Sequence, residues 1–171
     1  MSHRHLLPRF SRLCLTVGLV LAAMGLAVPS AWAGHADIPV PGWASLRATH
    51  NNEINMRAGP GEDYRIVWVY HQAHLPVRVL RASAGWRLVQ DPDGARGWVI
   101  LGFLNHERTA YVTAGDAVAM RAGPDTKARL LWRLAPGVTG VLGPCANGWC
   151  QLDVDGRKGF VTAARLWGTG D

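Results

Sequence analysis

Aromatic side chains are the strongest candidates for ligand binding in this chain of 171 residues. Trp68 stands between Tyr64 and Tyr70, whereas a later copy of the same segment carries Ala128 and Leu134 at the two tyrosine positions. Tyrosine and tryptophan form stiff, half-hydrated surfaces that bind peptides and sugars. We therefore predict a ligand groove on the first copy, with the candidate walls Tyr64, Trp68, Tyr70, Trp86 and Trp98. The alternative is that the tyrosines only pack between the two copies.

Histidine and cysteine are the other residues that could support chemistry. His71 and His74 are three positions apart, but no carboxylate or cysteine accompanies them at a metal-ligand spacing, so we expect a solvated pair and no metal site. Cys150 follows Trp149, yet a catalytic cysteine needs a histidine within hydrogen-bond reach, and no histidine follows His106. The sequence predicts no catalytic residue, no cofactor and no enzymatic activity.

Cys145 and Cys150 are predicted to form a disulfide. They flank Asn147-Gly148, a dipeptide typical of the tip of a β-hairpin. Facing positions beside such a tip lie within disulfide reach. Closing so small a loop stabilises the fold by about 2 kcal/mol in the chain-entropy model. A metal site with two cysteine ligands is the weaker alternative, because structural zinc takes four ligands.

The elements that position these residues come from an internal duplication. The segment Met-Arg-Ala-Gly-Pro at 56–60 returns 64 residues later at 120–124, and Gly97-Trp98-Val99 is matched by Gly159-Phe160-Val161. The offset falls from 64 to 62 along the repeat, in segments that are predicted to be turns. Such small changes in loop length are typical of a duplicated unit.

Each copy reads as a set of short strands without helices. In the first copy, β-branched and aromatic runs predict five strands at 53–57, 66–70, 77–80, 86–90 and 97–100. Asp93-Gly94 and Asp155-Gly156 are predicted turns between the last two strands of each copy. Five short strands cannot bury a core as a flat sheet, so each copy is expected to coil into a small, partly open barrel. Met56 and Met120 are expected in these cores, with Arg57 and Arg121 capping loop carbonyls or covering a tryptophan.

Residues 1–33 have the pattern of a secretory signal peptide. Three arginines precede an apolar run at 15–28, and Ala31-Trp32-Ala33 offers small residues at the cleavage site. This run is shorter than the roughly 20 residues of a bilayer-spanning helix. We expect a periplasmic or secreted protein that begins near Gly34 and meets the membrane only through its signal peptide. An uncleaved anchor is the alternative.

The distribution of charge argues against a nucleic-acid partner. The chain has 18 basic and 12 acidic residues, and removal of residues 1–33 takes away three basic and no acidic ones, which leaves a net charge of +3. Neither copy contains the run of basic residues that is typical of nucleic-acid binding. Most of the arginines are expected to lie on solvated faces.

The two copies resemble the bacterial SH3-like domain. The similar features are Asn-Met-Arg-Ala-Gly-Pro-Gly at 55–61, Val-Trp-Val-Tyr at 67–70, Leu-Pro-Val at 75–77 and the Gly-Trp pairs at 85 and 97. The resemblance implies an all-β chain of two tandem SH3-like small β-barrels after an N-terminal signal peptide. The expected domains are a signal peptide at 1–33, a linker at 34–42, and SH3-like domains at 43–106 and 107–168.

The resemblance also implies a role in the cell envelope. Domains of this family often target wall enzymes to peptidoglycan or mediate protein contacts, and they lack catalytic activity of their own. We therefore expect a binding module that engages peptidoglycan, through its peptide stems, in the predicted aromatic groove. The alternative is an adapter between envelope proteins. A wall hydrolase is not expected, because the two copies leave no room for a catalytic domain.

Overall fold

A computed structural model describes residues 38–51 and 53–170, which form two antiparallel β-sheets of seven strands each. The predicted signal peptide and the start near Gly34 lie outside these residues. Within the described part of the chain, no helix is both long enough and apolar enough to span a bilayer.

The first sheet contains the five predicted strands and two further ones. Its strands are β1 (Gly42–Leu46), β2 (Ile54–Arg57), β3 (Ile66–Tyr70), β4 (Pro76–Ser83), β5 (Trp86–Gln90), β6 (Arg96–Ile100) and β7 (Leu104–Asn105). They lie in the spatial order β3-β2-β6-β5-β4-β1-β7. Strands β1 and β7 were not predicted, because they depend on partners distant in sequence: Gly42 pairs with Val79 on β4, and Leu104 pairs with Leu46.

The second sheet repeats the first strand by strand. It consists of β8 (Thr109–Val112), β9 (Val118–Arg121), β10 (Leu130–Leu134), β11 (Thr139–Ala146), β12 (Trp149–Val154), β13 (Arg157–Thr162) and β14 (Leu166–Trp167). The spatial order β10-β9-β13-β12-β11-β8-β14 is that of the first sheet. The predicted all-β fold with two tandem SH3-like barrels is confirmed.

The repeated Met-Arg pair has the structural role that the sequence predicts. Met56 and Met120 are almost completely buried, one in each core. Arg57 Nη1 donates hydrogen bonds to the carbonyl oxygens of Glu62 and Tyr64, at 2.8 and 2.7 Å. Each arginine thus holds the loop that follows its strand, and in the second barrel Arg121 Nη1 donates to the Ala128 carbonyl at 2.8 Å.

A seam of aromatic and polar contacts joins the two barrels. The rings of Trp43 on β1 and Trp167 on β14 meet edge to face, with 4.7 Å between their centroids. The Arg108 guanidinium of the second barrel lies 6.0 Å from the centroid of the Trp43 ring, and Gln72 Nε2 of the first barrel donates to the Gly137 carbonyl oxygen at 3.0 Å. Tyr111 of β8 packs against the core of the first barrel, so the cores are linked as well.

Candidate functional site

The main candidate site is a groove on the first barrel that lies next to the second barrel. Its volume is about 390 Å³. It is lined by Trp68, Val69, Tyr70, His71, Gln72, Leu75, Asp91, Pro92, Asp93 and Tyr111. Only Tyr111 comes from the second barrel, so the groove belongs to the first barrel and is completed by its neighbour.

A buried tyrosine–aspartate pair forms part of the groove. The Tyr70 hydroxyl donates to Asp91 Oδ2 at 2.9 Å and lies 3.3 Å from the Met56 sulfur. Asp91 Oδ1 accepts the backbone N–H groups of Asp93 and Ala95, at 3.1 and 2.8 Å. Burial, together with the charge and hydrogen bond of Asp91, raises the pKa of Tyr70 far above its ordinary value. The Tyr70 hydroxyl therefore keeps its proton and donates a hydrogen bond to the buried Asp91 side chain.

Trp68 gives the groove an exposed aromatic surface. It lies on β3, a strand at the end of the first sheet, and 54% of its surface is exposed. A tryptophan that is half exposed beside a concave surface can bury its ring against a ligand without first leaving a core. His71 and Asp93 are exposed as well and add polar groups to the groove.

The structure brings together only part of the predicted wall. Trp68 and Tyr70 line the groove, whereas Tyr64, Trp86 and Trp98 do not. Tyr64 is 50% exposed, and its ring lies directly against Gly59. Trp98 is buried beneath the Arg81 guanidinium, which lies 5.5 Å from the ring centroid. Trp86 is half-buried at the start of β5.

The residues that the prediction missed come from two loops and from the second barrel. His71 and Gln72 follow β3, and Asp91 and Asp93 follow β5. In each of these loops the first copy has one residue more than the second, which is why the repeat offset falls from 64 to 63 and then to 62. The drift in offset therefore marks both loops of the groove. Tyr111 had no such signal, because its place depends on how the barrels pack.

The second barrel lacks the same site. Leu134 stands at the position of Tyr70 and Val154 at the position of Asp91, so the second barrel cannot form the tyrosine–aspartate hydrogen bond. Trp132 is nevertheless exposed like Trp68, at 48% of its surface. The Arg157 guanidinium lies 5.1 Å from the centroid of its ring.

The predicted disulfide is present at the tip of the β11–β12 hairpin. Cys145 and Cys150 face each other in the strand register, with an S–S distance of 2.00 Å. In the first barrel Ala82 and Arg87 pair at the corresponding place, so the barrel can form without the bridge.

The two histidines of the loop after β3 lie in different surroundings. His71 lines the groove, whereas His74 Nδ1 lies 3.3 Å from Glu107 Oε2 in the connection between the barrels. The described residues contain no cluster of three or more histidine, cysteine or acidic side chains that could hold a metal ion.

Comparison with known proteins assigns the family. The family model described as "Bacterial SH3 domain" matches residues 50–102 and again residues 114–168. The chain is also similar to "Putative N-acetylmuramoyl-L-alanine amidase YrvJ" of Bacillus subtilis (strain 168), at 25% identity over 122 residues that cover 66% of this chain. The match covers 23% of that protein, so the chain spans about a quarter of the length of this relative.

Two solved structures, NlpC2 and NlpC1 from Trichomonas vaginalis, are similar at 14% identity and a TM-score of 0.33. The alignments cover 73% and 78% of this chain, and 47% and 48% of theirs. The family model, by contrast, matches more than half of the residues. The chain therefore belongs to the bacterial SH3 domain family and carries two copies of the domain in tandem.

Proposed function

We propose that this chain is a non-catalytic binding module of the cell envelope that engages the peptide stems of peptidoglycan through the groove on its first barrel. The observation that carries the proposal is an aromatic groove in one copy of a duplicated bacterial SH3 domain. The similarity to part of a protein that is named a putative N-acetylmuramoyl-L-alanine amidase supports a cell-wall context. The activity of that protein is not transferred to this chain.

The chemistry of the groove favours a peptide that carries an amino group. Trp68 and Tyr111 provide aromatic surface beside the buried Tyr70, and the side chains of Asp91 and Asp93 put acidic groups on one side of the groove. A ligand ammonium is attracted both by carboxylates and by the faces of aromatic rings. Peptide stems of peptidoglycan combine an extended backbone with free amines, and they fit this combination better than an uncharged glycan does.

A non-catalytic role is part of the proposal. Cys145 and Cys150 are joined to each other, so neither offers a thiolate as a nucleophile. Tyr70 stays protonated because its pKa is raised, and Asp91 is held by three hydrogen bonds. These hydrogen bonds fix the wall of the groove. Incubation with sacculi is expected to release no muropeptides, and detection of released fragments by chromatography would contradict this part of the proposal.

The proposal also places the chain outside the cytoplasm. It relies on the basic and apolar pattern of residues 1–33, which precede the described residues. Fractionation of cells and N-terminal sequencing are expected to recover a chain that begins near Gly34 from the periplasm or the medium. Recovery of the full-length chain with the membranes would instead indicate an uncleaved anchor.

Co-sedimentation of the mature chain with purified sacculi tests the binding function. The wild-type protein is expected in the pellet, and Trp68→Ala is expected to weaken binding at least tenfold, the effect of losing about 1.4 kcal/mol at an aromatic hot spot. Ile66→Ala is the matched control. Ile66 is 45% exposed on the same strand but does not line the groove, so its truncation should leave binding unchanged.

Two further measurements test the contribution of charge. Acetylation of the free amines of the sacculi, and separately Asp93→Asn, are expected to weaken binding several-fold. Asp93 is exposed and its side chain holds no described hydrogen bond, so this change should leave the fold intact. A wild-type protein that stays in the supernatant, or equal losses for Trp68→Ala and Ile66→Ala, would refute the proposed groove.

A further inference from the structure

The second barrel has an exposed strand that is surrounded by basic side chains, whereas the groove of the first barrel carries acidic ones. Strand β10 ends the second sheet, as β3 ends the first, and it pairs with β9 alone among the described strands. Leu130 and Trp132 are exposed on it, at 41% and 48% of their surfaces. These residues correspond to Ile66 and Trp68 in the first barrel. The apolar pair is thus common to both barrels, but its surroundings differ.

Basic side chains surround the exposed pair of β10. Lys127 stands where the first barrel has Asp63, Arg133 where it has Val69, and Arg157 where it has Ala95. We define the β10 surface by the exposed residues Lys127, Arg129, Leu130, Trp132, Arg133 and Arg157. No acidic partner lies within ion-pair distance of these basic groups among the described contacts, in contrast to Lys158, which lies 3.6 Å from Asp153 Oδ2.

From this arrangement we propose that the β10 surface binds an acidic, extended segment of another polypeptide, which pairs with β10 as an additional strand. An end strand carries backbone N–H and C=O groups that only another peptide backbone can pair in series. The basic side chains attract carboxylates, and Trp132 with Leu130 offers apolar area to side chains on one face of the added strand.

The chemistry of the surface selects an acidic peptide over other partners. A cationic or neutral strand would leave the four positive charges of the β10 surface without compensation. Such a strand would therefore bind to β10 no better than to β3. A polyanion without amide groups would satisfy the charges but leave the strand edge unpaired. Charge and backbone together therefore specify the partner, and neither depends on the groove of the first barrel.

Fluorescence anisotropy with a defined probe tests the proposal. The probe is a labelled peptide of alternating glutamate and valine, about ten residues long, which favours an extended backbone and is acidic. Wild-type protein is expected to bind it, and Trp132→Ala and Arg133→Glu should each weaken binding about tenfold. The matched controls are Trp68→Ala and Val69→Glu, the same positions in the first barrel, which should bind the probe as the wild type does.

Two additional probes separate strand pairing from charge attraction. The same peptide with every second amide N-methylated keeps its charge but cannot form the backbone ladder, and it is expected to lose binding. A single-stranded DNA of equal charge should not displace the peptide at matched concentrations. Binding of the N-methylated peptide, or displacement by DNA, would overturn the proposal in favour of attraction of any polyanion.

The oligomeric state decides between an acidic partner and a second copy of this chain. Light scattering after gel filtration is expected to give a monomer at the concentrations of the binding assay. A dimer that Arg133→Glu abolishes, together with no binding of the peptide, would assign the surface to self-association and overturn the proposal. Arg157→Ala is a second variant, outside the β10 strand, and is also expected to weaken binding of the peptide. Thermal unfolding of each variant at the wild-type midpoint would show that lost binding does not reflect a lost fold.

Discussion

Positions 97 and 159 require glycine because the neighbouring strand leaves no room for a Cβ atom. A Cβ atom at Gly97 would lie 2.5 Å from Met56 Cγ and 2.9 Å from the Arg57 carbonyl oxygen. The methionine side chain can shift, but the carbonyl belongs to the β2 backbone and cannot. Gly159 meets Met120 and Arg121 at nearly the same distances. The repeated glycine is therefore explained by the close approach of β6 to β2, and of β13 to β9.

Gly97→Ala is expected to lower the free energy of unfolding by about 1–3 kcal/mol, the usual cost of overpacking a core. Urea unfolding followed by tryptophan fluorescence measures the change. Gly85→Ala is the control, because nothing lies within 4 Å of a Cβ at Gly85. Equal stability of the two variants would show that the strands can separate to admit a methyl group.

The raised pKa of Tyr70 predicts how the free energy of unfolding depends on pH. Its pKa is raised in the folded protein above the ordinary 10.0, so folded Tyr70 keeps its proton at a pH where the unfolded chain loses it. This contribution to stability is complete below pH 10 and is lost as the pH rises above it. The unfolding free energy should fall by up to about 1.4 kcal/mol per pH unit in that range.

Tyr70→Phe removes this dependence, since phenylalanine has no proton to lose. The variant is also expected to be about 1–2 kcal/mol less stable at pH 7, because Asp91 Oδ2 loses its buried hydrogen bond. Denaturant unfolding of both proteins from pH 7 to 11 measures the two effects. If the unfolding free energies of the wild type and the variant fell in parallel above pH 10, the pH dependence would not come from Tyr70.

At the scale of elements, the disulfide braces one hairpin of the second barrel. The first barrel closes the corresponding hairpin with Ala82 and Arg87, so the bridge adds stability and is not required for the fold. Replacement of both cysteines by alanine is expected to cost about 2 kcal/mol of unfolding free energy. Chemical denaturation measures this, and co-sedimentation with sacculi should be unchanged because the hairpin does not line the groove. Loss of sacculus binding in the double variant would contradict this separation.

The strands differ in how well the sequence predicts them. Strands β2 to β6 have β-branched and aromatic runs bounded by turn residues, and their bounds agree with the prediction within a few residues. Strands β1 and β7 are Gly-Trp-Ala-Ser-Leu and Leu-Asn, which have little intrinsic preference for a strand. They are extended because they pair with each other and with β4. Local pattern therefore identifies the strands whose own residues favour the extended form, and the two strands without such residues form through their pairing.

At the scale of the whole molecule, the seam couples the barrels. Trp43 contacts Trp167, Arg108 lies 6.0 Å above the Trp43 ring, and Gln72 Nε2 donates to the Gly137 carbonyl at 3.0 Å. A unit of about 60 residues is only marginally stable alone. Burial of the seam therefore stabilises both units, and it also brings Tyr111 to the groove.

Trp43→Ala is expected to reduce the unfolding free energy by about 2 kcal/mol and to split one thermal transition into two. Differential scanning calorimetry measures both effects through the ratio of calorimetric to van't Hoff enthalpy. Trp132→Ala, on the strand at the opposite end of the second sheet from β14 and about half exposed, should keep a single transition. Independent unfolding of the barrels in the wild-type protein would show that the seam contributes little.

The duplication, the all-β fold, the core positions of Met56 and Met120 and the disulfide could all be predicted from the sequence. Each of these features depends on residues that are close in sequence or on a repeated pattern, and neither requires knowledge of how the chain packs. A ligand groove on the first copy stays a prediction, and the drift of the repeat offset marks two loops that line the observed concave surface. Which aromatic residues meet there depends on contacts between residues that are distant in sequence. Tyr70 and Trp98 are equally buried, at 6% of their surfaces, yet Tyr70 lines the groove and Trp98 lies under Arg81, because the packing of the coiled sheets sets what each ring faces.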